Sequence, residues 1–298
     1  MTNAIEIHNL RYRAGKAFEI RDLELHVPHG AIYGFLGPNG SGKTTTMRLM
    51  LGLLRPLAGR ITVLGDEIPR DVAHVLGRVG FVPEQPHLDP ILTVRETLTF
   101  HAAFYSTWDW SWAERLLRQF DLQDRQPFGR LSKGQKGKLM MLLALAQRPE
   151  LLVLDEPTDG LDPVVRREVL SALLDYVSQR QATVFISSHL VHELERFCDW
   201  IGVMDDGRLI TEVPMERFKN GIKRLRVSGA PRTPADGPFV VLAREPTNGS
   251  GETWLVRDWE PRMASYFDGP GVSLHEVIDL DLEEGFVELL RTFRAPRT

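Results

Sequence analysis

Residues 37–45 (GPNGSGKTT) have the residue types and the spacing of a phosphate-binding loop. Glycines permit a tight turn in which several backbone N–H groups point at one anion, and the helix predicted to follow adds the positive end of its dipole. Lys43 would reach the β- and γ-phosphates of a nucleotide, and the Thr44 hydroxyl would ligate Mg²⁺. The alternative, a surface glycine loop with an incidental lysine, is disfavoured by the strand and helix predicted on either side.

A second chemical signal is the apolar run at residues 151–154, which ends in Asp155 and Glu156. In open α/β sheets, ligands bind at the carboxyl ends of the strands. Asp155 would hold Mg²⁺, and Glu156 would orient or deprotonate an attacking water. Such a pair alone is also common as a helix cap, but together with the lysine loop it predicts nucleotide hydrolysis.

The elements that must position these residues alternate between strand and helix. Short apolar runs at 31–36, 151–154 and 184–187 predict buried strands, while 44–54, 139–146 and 164–179 predict helices. This order indicates an α/β fold with a largely parallel sheet. After about residue 219 the pattern changes to alternating stretches at 239–243 and 253–256 and a closing helix at 282–293, which predicts a small second domain.

Composition limits the possible functions. The 298 residues are 43% hydrophobic and 26% charged, as in globular proteins, and the net charge of −4 argues against an obligate nucleic-acid binder. The one cysteine excludes an internal disulfide and a Cys-rich zinc site, so we expect a reducing compartment. No apolar run approaches the roughly 20 residues of a membrane-spanning helix, and no signal peptide is evident. We therefore expect a cytoplasmic protein.

Four further stretches make the sequence similar to the ATP-binding-cassette (ABC) ATPases. Residues 131–135 (LSKGQ) resemble the signature of that family, and residues 160–163 (GLDP) resemble its D-loop. His189 follows a predicted strand where the family has its switch histidine, and Tyr12 occupies the position of an adenine-stacking aromatic residue. The resemblance covers roughly residues 4–215, and the ending at 281–286 (DLEEGF) resembles that of many transport ATPases.

The resemblance implies a P-loop ABC fold with a mixed, largely parallel sheet, a helical subdomain at about 90–145 and an α+β C-terminal domain. The expected domains are residues 1–219 and 220–298. Glu156, His189 and Lys43 would be catalytic, and Thr44, Asp155 and Glu84 would hold Mg²⁺. The residues expected to contact ATP are Tyr12, Gly37, Pro38, Asn39, Gly40, Ser41, Gly42, Lys43, Thr44, Thr45, Ser132, Gly134, Gln135 and Asp162.

Two departures from the family pattern bear on the site. Lys133 replaces a signature glycine, which would strain the backbone if that position required a positive φ; otherwise its side chain would face phosphate or solvent. In the loop that usually presents a glutamine to Mg²⁺, the spacing to residues 92–94 favours Glu84, with Gln85 as the alternative. The nearby residues 108–112 (WDWSW) are interpreted either as packing within the helical subdomain or as a contact to a membrane partner.

The function implied is that of an ATPase subunit peripheral on the inner face of the cell membrane. Two cassettes, expected to be copies of this chain, would pair head to tail on ATP and drive a separate integral-membrane permease, with export as the favoured direction. The alternative is a soluble ABC-family ATPase that acts on nucleic acid or ribosomes. A GTPase or small-molecule kinase is disfavoured because an Asn-Lys-x-Asp guanine motif is missing.

Overall fold

The computed structural model describes residues 2–15, 18–229, 238–247, 251–269 and 271–294. The chain divides into two compact units, Met1–His189 with Gly202–Leu209, and Leu190–Ile201 with Ile210–Thr298. The sequence predicted a single boundary after residue 219, whereas residues 190–201 and 210–219 group with the second unit. These two stretches group together because they are hydrogen-bonded to each other; for example, the Met215 N–H donates to the Asp199 carbonyl at 2.8 Å.

The central sheet has six strands in the order β10-β9-β3-β8-β7-β6, and the β3–β8, β8–β7 and β7–β6 pairs are parallel. Every residue of β3, β7 and β8 is buried, which explains their continuous apolar runs. The strands are β3 (Ile32–Leu36), β6 (Val79–Val82), β7 (Leu151–Asp155), β8 (Thr183–Ser188), β9 (Trp200–Asp205) and β10 (Arg208–Pro214). The predicted α/β class is confirmed.

A second, antiparallel sheet has the order β2-β1-β4-β5. Its strands are β1 (Asn3–Ala14), β2 (Phe18–Pro28), β4 (Ala58–Val63) and β5 (Asp66–Ile68). In β2 the fully buried Leu23, Leu25 and Val27 alternate with half-buried polar residues. One face of this sheet therefore belongs to the core and the other carries polar side chains.

Helices pack around these sheets within the first unit. They are α1 (Lys43–Met50), α2 (Val72–Leu76), α3 (Val94–Ala102), α4 (Trp110–Gln119), α5 (Lys133–Ala146) and α6 (Pro163–Arg180). The segment between β6 and β7 contains α3, α4 and α5, and the helical subdomain predicted at about 90–145 falls within it. Its helix starts are specified locally, because Thr93 forms a capping box with Glu96 and Asp109 accepts a hydrogen bond from the Trp112 N–H.

The three clustered tryptophans have different surroundings. Trp112 is buried, and its ring packs beneath the guanidinium groups of Arg115 and Arg148, at 3.6 and 4.5 Å from the ring centroid. Trp110 is 41% exposed and meets Trp108 edge to face. Packing thus accounts for Trp112, while Trp110 still presents apolar surface to solvent.

The second unit contains a four-stranded antiparallel sheet in the order β12-β13-β11-β14. Its core includes the fully buried Trp254 and the rings of Phe239, Trp259 and Phe267. The remaining elements are α7 (Val191–Leu194), α8 (Met215–Gly221), β11 (Lys223–Gly229), β12 (Val240–Pro246), β13 (Gly251–Arg257), β14 (Val272–Asp279) and α9 (Leu282–Arg294). Over the described residues, none of the helices combines the length and the apolar character needed to cross a membrane.

Candidate active site

The glycine-rich loop joins β3 to α1, as the sequence predicted. Gly42 has φ 114°, in the left-handed region that favours glycine, immediately before the first residue of α1. A Cβ atom at Gly37 would lie 2.3 Å from the Met204 carbonyl oxygen, so a larger residue cannot fit there. Among the described residues, the buried Ser41 Oγ finds no hydrogen-bond partner. A buried hydroxyl without a partner is available to hydrogen-bond a ligand held by this loop.

Lys43 points back over the loop and is almost completely buried. Its Nζ donates to the Gly37 carbonyl at 2.7 Å and lies 3.2 Å from Glu156 Oε1. A buried ammonium group is costly unless acceptors or negative charges surround it. The loop carbonyls and the Glu156 carboxylate supply them here, and phosphate oxygens would supply them in a nucleotide complex.

Asp155 and Glu156 follow β7 as predicted, and Ser187 at the end of β8 joins them. The Ser187 Oγ donates to Asp155 Oδ1 at 2.8 Å and accepts from the Glu156 N–H at 2.9 Å. Glu156 adopts φ 48°, so its side chain leaves the strand direction. Ser187 was missed by the sequence reasoning, although a polar residue closing an apolar strand was available as a signal.

His189 lies against the same carboxylate. Its Nδ1 is 2.9 Å from Glu156 Oε2, and its backbone N–H donates to that oxygen at 3.3 Å. The Glu156 carboxylate therefore contacts Lys43 through one oxygen and His189 through the other. The three residues predicted to be catalytic are brought together at the carboxyl ends of neighbouring strands.

A cavity of about 590 Å³ opens beside the phosphate loop. Its lining residues are Ala14, Phe18, Asn39, Gly40, Gly42, Lys43, Thr44, Thr45, Glu84 and Glu156. A second cavity of about 640 Å³ includes Asp155 together with both Glu84 and Gln85. Of Glu84 and Gln85, only Glu84 also lines the phosphate-loop cavity.

The aromatic residue at the phosphate-loop cavity is Phe18, not Tyr12. Tyr12 lies in β1 opposite Ile20 and does not line the cavity. The Phe18 ring packs against Gly42, since a Cβ built there would lie 2.7 Å from Phe18 Cζ. Phe18 was missed by the sequence reasoning, and the signal for it was an aromatic residue at the first position of β2.

The signature stretch, residues 131–135, begins α5 and lies outside the phosphate-loop cavity of its own chain. Ser132 caps the helix, accepting from the Gln135 N–H at 3.2 Å, and the Gln135 side chain accepts from the Ser132 N–H. Lys133 is not among the residues with positive φ, so the condition under which it would be strained is not met. Its Nζ instead lies 3.6 Å from the Asp159 carboxylate, next to Gly160.

The remaining signature and D-loop residues also lie outside that cavity. Gly134 packs within 3.4 Å of Val165, measured from a Cβ built at the glycine. Asp162 caps α6 by accepting from the N–H groups of Val164 and Val165, each at 3.0 Å. Ser132, Gly134, Gln135 and Asp162 were predicted to contact ATP, and none of them lines their own chain's phosphate-loop cavity.

The glycine loop after β3 holds a buried lysine that faces the two acidic residues at the end of β7, two strands away in the sheet. This arrangement defines a P-loop nucleoside triphosphatase. Comparison with known proteins makes this class more specific. The family model described as ABC transporter matches residues 20–159. The bacitracin transport ATP-binding protein BcrA of Bacillus licheniformis is 36% identical, over 74% of this chain and 72% of that protein.

The Nod factor export ATP-binding protein I of Burkholderia orbicola is 35% identical over 96% of both chains. Among solved structures, an ATP-binding subunit of an ABC transporter superposes with a TM-score of 0.66 at 28% identity, covering 73% of this chain and 92% of that one. A bacterial ABC transporter cassette solved as a dimer has a TM-score of 0.64 over 71% of this chain and 98% of its own, and at 23% identity it shows the fold alone. The chain belongs to the ATP-binding subunits of ABC transporters, which are ATPases coupled to transport.

Proposed function

We propose that two copies of this chain pair head to tail and bind ATP between the phosphate loop of one copy and the signature stretch of the other. The observation that carries this proposal is the separation of the two motifs within one chain. Ser132 is exposed at the N-terminus of α5, outside its own phosphate-loop cavity. A helix N-terminus is an anion site, so a second copy would complete the binding of the γ-phosphate.

In this arrangement the chain's own residues share the work of hydrolysis. ATP would replace the Glu156 carboxylate as the partner of Lys43, because phosphate oxygens also satisfy a buried ammonium group. Glu156 would then accept a proton from, or orient, the attacking water, and His189 would hydrogen-bond the γ-phosphate. Loss of that phosphate on hydrolysis would remove the contact between copies and let them separate.

The donors near the phosphate loop fit Mg²⁺, a cation that prefers oxygen ligands. Thr44 and Glu84 line the phosphate-loop cavity, and one oxygen of the buried Asp155 is fixed by Ser187. We propose Thr44, Asp155 and Glu84 as the residues that hold the ion, with Gln85 as the alternative to Glu84. Mg²⁺ bound with ATP would neutralise charge that develops on the phosphates. Adenine stacking on Tyr12 stays a prediction, and Phe18 is the aromatic residue nearest the loop.

We further propose that the second cavity receives a cytoplasmic segment of an integral-membrane permease. Its wall combines buried apolar residues with Leu53, which is 58% exposed. The same cavity contains Glu84 and Asp155, so a segment bound there would lie beside the proposed metal ligands. This subunit would thereby be held at the inner face of the cell membrane. Relatives named for bacitracin transport and for Nod factor export support export as the direction.

Transport is favoured over the alternative of a nucleic-acid or ribosome ATPase. The relatives are named as transport or export proteins, and several of those named for Nod factor export match over 96–97% of the chain. The net charge of −4 does not supply the basic surface that binds a phosphate backbone. A second cassette and a permease are therefore the proposed partners, with no nucleic acid.

Mixing two inactive variants tests the head-to-tail arrangement. Lys43→Ala removes the phosphate contact of one copy, and Ser132→Arg blocks the signature of the other. In a mixed dimer, both changes fall in one composite site and the second composite site is intact. With random pairing and independent sites, about a quarter of all sites are restored. Each variant alone should be inactive, and a mixture as inactive as its components would contradict a site shared between copies.

The permease proposal is tested separately by affinity purification from detergent-solubilised membranes. We expect a multi-span membrane protein to co-purify with the parental chain and its recovery to fall with Leu53→Glu. Val164→Glu, at a residue 67% exposed and outside the second cavity, is the matched control. Equal recovery with both variants would exclude this cavity as the docking surface, and the mixing experiment would be unaffected by that result.

A further inference from the structure

The outer face of the β1–β2 hairpin brings two imidazoles and a carboxylate together. In β2, Glu24 and His26 flank the fully buried Leu25 and point to the opposite, polar face. Ile7 pairs with Leu25, and the register then shifts before Leu10 pairs with Leu23. Continuing the Ile7–Leu25 register places His8 opposite Glu24, and the extra residue of β1 follows at Asn9.

The three side chains are close enough to share one ion. His8 Nδ1 is 3.0 Å from Glu24 Oε2, and the His8 and His26 ring centroids are 5.3 Å apart. One ligand atom from each residue lies within 4.8 Å of the other two. Tetrahedral zinc needs its ligand atoms about 3.3 Å apart, given metal–ligand bonds of about 2.0–2.1 Å. Small side-chain rotations would bring the three ligand atoms from their present separations to this spacing.

The backbone holds the carboxylate in place for this role. The N–H of Asn9 donates to Glu24 Oε1 at 2.6 Å, and Asn9 has φ 48° at the irregular point of β1. Glu24 Oε2 therefore faces His8 while its other oxygen is occupied. A ligand whose remaining oxygen is hydrogen-bonded is the usual arrangement around a protein-bound metal.

We propose that His8, Glu24 and His26 form a binding site for a divalent transition metal of the zinc class. Two imidazole nitrogens and one carboxylate oxygen suit Zn²⁺, whereas Mg²⁺ prefers an all-oxygen shell. The three residues are half-buried, so a water completes the fourth position. When the metal binds, any proton on a coordinating imidazole nitrogen is released to solvent. The two imidazole nitrogens, the Glu24 carboxylate and one water then make up the four ligands.

The neighbouring charges are compatible with such an ion. Glu6 pairs with His26 across the strands, and it adds negative charge beside the site. Arg60 faces His8 from β4, with its Nε 3.9 Å from Glu67 Oε1. The metal would link β1 to β2 in the hairpin that also supplies Ala14 and Phe18 to the phosphate-loop cavity. It would be distinct from the Mg²⁺ that accompanies ATP.

Calorimetric titration of Zn²⁺ into the untagged full chain tests the site, with excess Mg²⁺ and without nucleotide. We expect one zinc per chain, bound at least about tenfold more weakly by His8→Gln, His26→Gln and Glu24→Gln, as loss of even a ligand's supporting group costs about that much. Zn²⁺ should also raise the melting temperature of the parental chain and not of His26→Gln.

His74→Gln is the matched control. His74 Nδ1 lies 2.8 Å from Asp66 Oδ2, a similar surface pair that forms no three-ligand group among the described residues. We expect its zinc affinity to equal that of the parental chain. Absence of zinc binding by the parental chain, or equal weakening in His74→Gln and in the three site variants, would overturn the proposal. Circular dichroism of each variant verifies that the fold is retained.

Discussion

Replacement of Glu156 by Gln should change catalysis and nucleotide affinity in opposite directions. The amide keeps the size of the side chain but cannot take a proton from water, so turnover should fall on the order of a hundredfold or more, as for loss of a general base. The same change removes the carboxylate that lies 3.2 Å from Lys43 Nζ. Residue 156 then no longer competes with the nucleotide phosphates for the ammonium group of Lys43.

The gain in affinity can be estimated from that contact. The contact is an ion pair without hydrogen-bond geometry, so we take its contribution at the lower end of the about 1.5–3 kcal/mol of a charged hydrogen bond. A net gain of about 1.4 kcal/mol corresponds to about tenfold tighter binding. ADP is the ligand of choice for calorimetry because it contacts Lys43 without the γ-phosphate that would join two copies.

Three measurements separate the effects of Glu156→Gln: phosphate release, ADP calorimetry, and size-exclusion chromatography with ATP, in which a trapped dimer is expected. Glu150→Gln is the matched control, since Glu150 precedes the same strand, lies outside the phosphate-loop cavity and pairs with Arg78. Parental turnover in Glu156→Gln would refute the assignment of the base. Unchanged or weaker ADP affinity would refute competition between Glu156 and phosphate for Lys43.

Three other variants or reactions test separate parts of the structure. Glu84→Ala should lower turnover more than Gln85→Ala and make it more sensitive to Mg²⁺ concentration in a steady-state titration; the opposite ranking would shift the register by one residue. Ser187→Ala leaves two buried polar groups unpaired, so urea unfolding should show a loss of about 1–3 kcal/mol together with slower hydrolysis. Burial raises the pKa of the Cys198 thiol, so at pH 8 little thiolate is present, and alkylation should be slow until the chain is denatured. Rapid alkylation of the native protein would contradict that burial.

The features predicted best are those carried by contiguous residues. The glycine loop is a local backbone structure, so its place between a buried strand and a helix follows from residues 31–54 alone. The start of α5 at Ser132 is likewise local, because Ser132 accepts from the N–H group three residues further on. The strands and the closing helix of the second unit agree with their alternation and periodicity. The boundary between units was predicted less well, because contacts across α7, α8 and α9 decide it.

The sequence by itself determined that this chain carries a phosphate loop, an acidic strand end and a signature stretch, since each is a short pattern with its own local physics. Only the tertiary structure decided which of these residues meet. The parallel order of β3, β8 and β7 places Lys43, Glu156 and His189 at one edge of the sheet. It also selects Phe18 rather than Tyr12 for the cavity, and joins Ser187 to Asp155. Such pairings depend on strand order and register, which are set by packing between distant segments and which no local pattern specifies.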